Sequence, residues 1–135
     1  MAGIAGDPGR RAPGAPGTLD LAIVGAGVSG MAAALEARAR GLAFEVIEAA
    51  EPFHTCANYP PGKPIFPYPL AFRPAGGLQV TARRKEELLA ELRLQAARAG
   101  ITPRRGRAVR VAPAPEGLRV ETRAVIGSRA YAMPD

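Results

Sequence analysis

The segment Gly25-Ala-Gly-Val-Ser-Gly30 decides the fold of this 135-residue chain. Its pattern is G-x-G-x-x-G, which carries little weight alone in a chain with 16 glycines. Its surroundings give it weight. An apolar run over 19–24 precedes it and predicts a buried parallel strand, while residues 28–40 after it predict a helix ending at Gly41. Residues 44–47 then predict a second strand.

This order of elements is typical of a dinucleotide-binding unit, so we expect an α/β, Rossmann-like βαβ fold. Gly25 permits a tight turn, Gly27 lets a pyrophosphate approach the backbone, and Gly30 lets the helix lie against the sheet. The helix N-terminus adds free N–H groups and partial positive charge. Glu48, at the end of the second strand, would accept hydrogen bonds from ribose hydroxyls. The predicted dinucleotide ligands are Gly25, Ala26, Gly27, Val28, Ser29, Gly30 and Glu48.

The residues after Glu48 bear on the choice of dinucleotide. Ala49 and Ala50 stand where a protein that binds a 2′-phosphate would carry arginine, which argues against NADP at this site. The glycine pattern does not by itself separate FAD from NAD.

Composition excludes other classes of function. The 18 Lys and Arg outnumber the 12 Asp and Glu, giving +6, but they are scattered and do not interleave with aromatics, so no nucleic-acid partner is expected. The apolar run 21–35 is too short to span a bilayer, so no membrane partner is expected either. The single cysteine, Cys56, excludes an intrachain disulfide and a thiolate zinc site, and favours a cytoplasmic setting; no metal site is predicted.

The remaining sequence predicts the other elements. Residues 1–17, rich in glycine and proline, predict a disordered tail, and 18–135 the domain itself. Residues 52–77 predict an ordered, proline-rich loop, and 81–99 a helix whose apolar face contains Leu88, Leu92 and Ala96. Short strands are predicted over 101–103, 108–112 and 118–122, with a turn over 113–117. The small-residue face of the first helix is expected to contain Ala32, Ala33, Leu35 and Ala39.

Residues 19–48 resemble the N-terminal FAD-binding fingerprint of flavoprotein disulfide and thioredoxin reductases. The stretches 58–69 and 85–89 resemble the thioredoxin-reductase-like branch that includes bacillithiol-disulfide-reductase-type proteins. The resemblance implies FAD as cofactor, NAD(P)H bound by a later domain, and electrons passed through flavin to a disulfide or protein acceptor. Relatives often form homodimers, and the oligomeric state of this chain stays open. It also implies that the loop 52–72 lies near the flavin ring, where Lys63 is either a cation beside the isoalloxazine or, as we favour, a solvated loop residue.

The resemblance also implies that the domain is incomplete at its C-terminus. The family continues from a small β-meander, whose last strand would lie near 129–132, into an apolar strand that pairs with the free edge of 19–24. That strand, the nicotinamide domain and a second flavin-binding motif are missing, so we expect a fragment, a truncated gene product or a frameshifted one.

Cys56 has two interpretations. Its place after Glu48 resembles that of the first redox cysteine of glutathione-reductase-type enzymes, although the position of their second cysteine is here Pro61. A single thiol at such a place serves some persulfide and coenzyme A-disulfide reductases. The interpretation we favour is an inert loop cysteine. A reactive cysteine needs a lowered thiol pKa and exposure to solvent, and the sequence reveals neither. His54, the only histidine, is treated as incidental, because a couple with Cys56 is the most it could form, and the two side chains are expected to point apart in an extended segment.

Three functions remain open at this stage. The first is the FAD-binding portion of an NAD(P)H-dependent flavoprotein oxidoreductase. The second is a non-catalytic remnant that holds a dinucleotide without turning anything over. The third, the coenzyme domain of an NAD-linked dehydrogenase, is disfavoured by the proline and aromatic residues inserted after the second strand.

Overall fold

The computed structural model of the chain describes residues 18–125. The predicted tail over 1–17 and the last strand of the predicted meander lie outside the described residues. The expected extent of the domain, 18–135, stays a prediction.

A parallel sheet with a helix crossover forms the centre of the fold. Strand β1 (Leu21–Val24) leads into helix α1 (Val28–Ala39), and the chain returns through strand β2 (Phe44–Glu48). The two strands pair in parallel, from Leu21 with Phe44 to Val24 with Ile47. The predicted α/β, Rossmann-like βαβ fold is confirmed.

The face that α1 turns to the core agrees only in part with the predicted one, since Ala32 and Leu35 are partly buried against the core. Met31, Ala34 and Ala37 are buried, whereas Ala33 and Ala39 are exposed. The reason is the contact between the start of the helix and the turn before it. Gly30 is pressed against that turn, so the residues one and two turns further along the same side of the helix face the sheet. The positions of the alanines in the sequence do not by themselves show which face of α1 is buried.

The long loop contains one short element and ends later than predicted. Helix α2 (His54–Ala57) lies inside it, and helix α3 (Lys85–Arg98) begins four residues after the predicted start. The N–H groups of Thr81 and Ala82 bond to the side chain of Glu91 instead of entering a helix. The predicted apolar face of α3 is confirmed, because Leu88, Leu89, Leu92 and Ala96 are buried.

The last strands differ in their bounds from the predicted ones. Strand β3 (Arg104–Arg105) pairs in parallel with β2, so the sheet order is β1-β2-β3. The strand predicted over 101–103 therefore begins three residues later, at Arg104. Strands β4 (Arg107–Ala114) and β5 (Gly117–Arg123) form an antiparallel hairpin. Its turn is shorter than the predicted 113–117, because Pro113 already pairs with Leu118. Within 18–125 this second sheet has two strands, and the predicted meander stays a prediction because its third strand lies outside the described residues.

The carboxylate of Glu91, in α3, accepts hydrogen bonds from the end of the long loop, and acidic pH is expected to weaken them. Burial raises its pKa, but hydrogen bonds from the Thr81 hydroxyl and from the N–H groups of Ala82 and Thr81 outweigh burial and lower the pKa from its ordinary 4.5. A carboxyl with a lowered folded-state pKa stabilises the fold above its unfolded-state pKa, and this is lost as pH falls through the folded-state value.

Glu91→Gln is therefore expected to lower the free energy of unfolding by about 1 kcal/mol at pH 7 and to have less effect below pH 4. Urea titrations at both pH values measure this. Glu116→Gln, at the exposed hairpin turn, serves as the control. An equal loss at both pH values for Glu91→Gln would show that its charge plays no part.

Candidate dinucleotide site

The turn after β1 brings the start of α1 against the strand end. Gly25 has φ +100°, a conformation that disfavours side chains, and its N–H donates to the carbonyl of Ile47 at 2.8 Å. A Cβ atom at Gly30 would overlap the carbonyl oxygen of Gly25. The structural roles predicted for these two glycines, the tight turn and the close helix packing, agree with this geometry.

Gly27 is required neither by its backbone angles nor by its protein neighbours. It is the N-cap of α1 with φ −75°, which any residue can adopt, and a Cβ placed on it would meet no atom within 4 Å. The first helical hydrogen bond runs from the N–H of Met31 to the carbonyl of Gly27 at 2.9 Å. The N–H groups of Val28, Ser29 and Gly30 therefore have no acceptor within the helix and face open space at its positive end.

The peptide group of Ala26 is held from two sides. Its N–H donates to Oε2 of Glu48 at 2.6 Å, and its carbonyl accepts the N–H of Phe53 at 2.8 Å. Ala26 itself is completely buried. The glycine loop is thus fixed by the end of β2 and by the segment that follows it.

Glu48 holds the loop and still has acceptor capacity. Its Oε1 accepts the N–H of Ala50 at 2.9 Å, and its Oε2 accepts that of Ala26. A carboxylate offers about four acceptor positions, so about two stay available. Because Glu48 is partly exposed, its carboxylate could also accept from the hydroxyls of a ribose. Sequence analysis predicted a role toward ribose but not the contact with Ala26.

A cavity of about 360 Å³ lies over the loop. Its walls combine residues of the glycine loop with residues of the segment around α2. The lining residues are Val24, Gly25, Gly27, Val28, Ser29, Gly30, Phe53, Thr55, Cys56 and Tyr59. A larger cavity of about 460 Å³ lies at the opposite ends of the strands, beside Arg38 and Phe44, and has no glycine loop.

Sequence reasoning missed Phe53, Thr55 and Tyr59 as part of this wall. Phe53 is fully buried, has φ 60° and precedes α2. A left-handed aromatic residue has no sequence signature, so the only available signal was a large apolar residue in a loop otherwise rich in proline and polar groups.

Cys56 belongs to the cavity wall, while His54 does not. The cysteine is free and 6% exposed. His54 lies on the outer side of α2, with Nδ1 3.6 Å from a carboxylate oxygen of Glu51. The two side chains point apart because the segment is helical, and residues two apart on a helix lie on nearly opposite sides. The predicted extended segment would instead have placed them on the same face.

Lys63 lies beyond the cavity and is exposed. Its Nζ is 5.4 Å from the centroid of the Tyr59 ring. Across 18–125 no group of three or more His, Cys, Asp or Glu side chains could hold a metal ion. The same part of the chain contains no helix long and apolar enough to cross a membrane.

The comparisons with known proteins agree with this geometry. A family model described as an FAD binding domain matches residues 20–102, which is more than half of the chain. The bacillithiol disulfide reductase Bdr (YpdA) from Staphylococcus aureus has a similar fold, with a TM-score of 0.61 at 20% identity over 75% of this chain. A mutant flavin monooxygenase from Stenotrophomonas maltophilia gives 0.66 at 26% identity over 78%.

The chain spans about a third of the length of these two structures, 32% and 34%. No curated protein gives a significant match.

Proposed function

Because this chain belongs to the FAD binding domain family matched over residues 20–102, we propose that it is the FAD-binding portion of an NAD(P)H-dependent oxidoreductase. The open space over Gly27, beside the start of α1, carries this proposal, since it suits a pyrophosphate. The two solved neighbours, a disulfide reductase and a flavin monooxygenase, support the redox assignment.

In the proposed arrangement the N–H groups of Val28, Ser29 and Gly30 donate to the pyrophosphate. The side chain at position 27 is absent, so the diphosphate can approach the backbone. Glu48 accepts from the ribose hydroxyls with the acceptor positions that Ala26 and Ala50 leave available. Ala26 contributes through its peptide group, whose two hydrogen bonds hold the loop in this shape.

FAD would supply the electron-transfer chemistry, and these residues would position it. We propose NAD(P)H as the reductant and a disulfide or a redox protein as the acceptor, in a cytoplasmic homodimer, from the resemblance to the thioredoxin-reductase-like branch. The disulfide reductase among the solved neighbours is consistent with this choice. Cys56 could reach a ligand in the cavity that it lines, but its burial favours the inert interpretation.

The proposed electron transfer from NAD(P)H through flavin is tested on the protein purified from the cells that make it, so that any polypeptide bound to it is retained. Anaerobic addition of NADH or NADPH is expected to bleach the visible flavin band, and a small disulfide is expected to restore it. Flavin that stays oxidised in the presence of both nucleotides would instead indicate a dinucleotide-binding remnant without catalysis.

The binding part predicts a large effect of Glu48→Ala. FAD affinity is expected to fall about 10- to 100-fold, because charge-assisted hydrogen bonds to ribose are lost. Calorimetric titration with FAD measures this, and Glu51→Ala, an exposed carboxyl three residues away, is the control.

A second pair of ligands separates the ribose contact from the support of the loop. If Glu48 binds ribose, the native chain should prefer ADP to 2′,3′-dideoxy-ADP, and Glu48→Ala should lose that preference. A variant that keeps the preference would show that Glu48 only supports the loop.

A further inference from the structure

The cavity over the glycine loop has an aromatic side chain in its wall that a ligand can touch. In the part of the chain that the structure describes, two aromatic residues line this cavity, Phe53 and Tyr59. Phe53 is completely buried, so its ring is out of reach of a ligand. Tyr59 packs against the hydrophobic core but is only partly buried. Tyr59 is therefore the aromatic contact that this wall offers.

Three contacts hold Tyr59 in the wall. Its N–H donates to the carbonyl of Cys56 at 3.2 Å, and its own carbonyl accepts Nζ of Lys85 at 2.6 Å. The ammonium of Lys63 lies 5.4 Å from the centroid of the Tyr59 ring, within the distance of a cation–π attraction. Because both the main chain and the ring are restrained, a ligand that meets the ring loses little side-chain entropy on binding.

The rest of the cavity wall suits a ring system joined to a phosphate. Val24, at the end of β1, and Val28, at the start of α1, line the cavity together with Tyr59. The N–H groups at the start of α1 border the same space. Apolar side chains beside a few polar donors are typical of a small-molecule site, where the donors orient the ligand and the apolar wall covers it.

FAD has two ring systems, and Glu48 distinguishes between them. In the proposed site Glu48 accepts from the ribose of the adenosine, so the adenine lies on the side of Glu48. Glu48, Ala49 and Ala50 are not among the residues that line the cavity. The ring system that reaches Tyr59 is therefore the one at the other end of the pyrophosphate, the flavin.

We propose that Tyr59 contacts the isoalloxazine ring of FAD and positions it in the cavity over the glycine loop. This assignment rests on the proposed FAD site and adds to it a residue outside the glycine motif. The glycine loop and Glu48 bind the ADP half of the cofactor, whereas the phenol ring of Tyr59 provides a flat apolar surface for the flavin half. FAD should then bind more tightly than ADP, and the difference should depend on Tyr59.

Calorimetric titration of the whole chain with FAD and with ADP separates the two halves of the cofactor. Tyr59→Leu is expected to weaken FAD binding about 3- to 10-fold, through the loss of one aromatic contact, and to leave ADP binding within about twofold. A role in folding alone would weaken both ligands alike. The matched control is Tyr68→Leu, which changes a tyrosine that is 94% exposed and outside the cavity lining. Both affinities are expected to stay native in the control.

The fluorescence of bound FAD tests the contact without a loss of affinity. A phenol ring in contact with an excited flavin gives it an electron and quenches its emission, whereas a phenylalanine ring does not. Tyr59→Phe keeps the ring and its packing, so it is expected to fold and to bind FAD with native affinity. Its bound flavin is expected to be brighter than that of the native chain, and Tyr68→Phe is expected to leave the brightness unchanged.

Two results would overturn the flavin contact alone. The first is a Tyr59→Leu chain that keeps native FAD affinity, or whose FAD and ADP affinities fall by the same factor. The second is a Tyr59→Phe chain whose bound flavin is no brighter than that of the native chain. A native chain that binds neither FAD nor ADP would overturn the proposed function, and the contact of Tyr59 with flavin would fall with it.

Discussion

Replacing Gly27 by valine is expected to lower FAD affinity by about 100-fold or more while the chain stays folded. A Cβ at this position meets no protein atom within 4 Å, and φ is −75°, so valine fits the fold. Its methyl groups would instead enter the space proposed for the pyrophosphate. Losing two charge-assisted hydrogen bonds from the helix start, at roughly 1.5 kcal/mol each, accounts for that factor.

The matched variant is Cys56→Ser, which changes another residue of the same cavity wall. It is expected to leave FAD affinity within about threefold, because the proposed site uses no atom of the thiol. Calorimetric titration gives both affinities, and circular dichroism and thermal unfolding confirm that each variant folds. A folded Gly27→Val chain with native FAD affinity would refute the placement of the pyrophosphate.

The part of the fold that sequence predicts well is the part governed by local rules. Apolar β-branched runs, a glycine turn and a helix stop are all encoded within a few residues, so β1, α1 and β2 were predicted nearly to their ends. The carboxylate of Glu48 was also placed correctly at the end of a strand.

The misplaced features depend on contacts between distant residues. The start of α3 is delayed because Glu91 captures N–H groups ten and nine residues earlier. The buried face of α1 is selected by the contact of Gly30 with Gly25, not by alanine content. The support of Ala26 by Glu48 joins residues 22 apart, and the support by Phe53 requires a left-handed aromatic residue. No local sequence pattern predicts either of these two hydrogen bonds to the peptide group of Ala26.

The same contacts explain why the three glycines of one motif should respond differently to substitution. Gly25 is required by its positive φ and Gly30 by the backbone pressed against it, whereas Gly27 has open space beside it. A motif match treats them alike, whereas the structure gives two of them a role in folding and leaves the third for the proposed binding of the pyrophosphate.

Replacing Gly30 by alanine is accordingly expected to destabilise the fold itself, by about 3 kcal/mol or more. Its Cβ would overlap the carbonyl oxygen of Gly25, a backbone atom that cannot rotate away, so the start of α1 must move off the sheet. Such a loss is a large share of the roughly 5–15 kcal/mol that stabilises a domain. FAD binding is expected to fail with it, because the N–H groups of the helix start move as well.

Urea unfolding followed by circular dichroism measures this effect, with Gly76→Ala as the control. Gly76 has an ordinary φ and open space around its Cβ position, so the same exchange should change the unfolding free energy by less than about 1 kcal/mol. The decisive comparison is with Gly27→Val, which should retain stability and lose FAD. Native stability in Gly30→Ala would mean that α1 does not lie this close to the glycine turn, and the separation of binding from folding within the motif would fail.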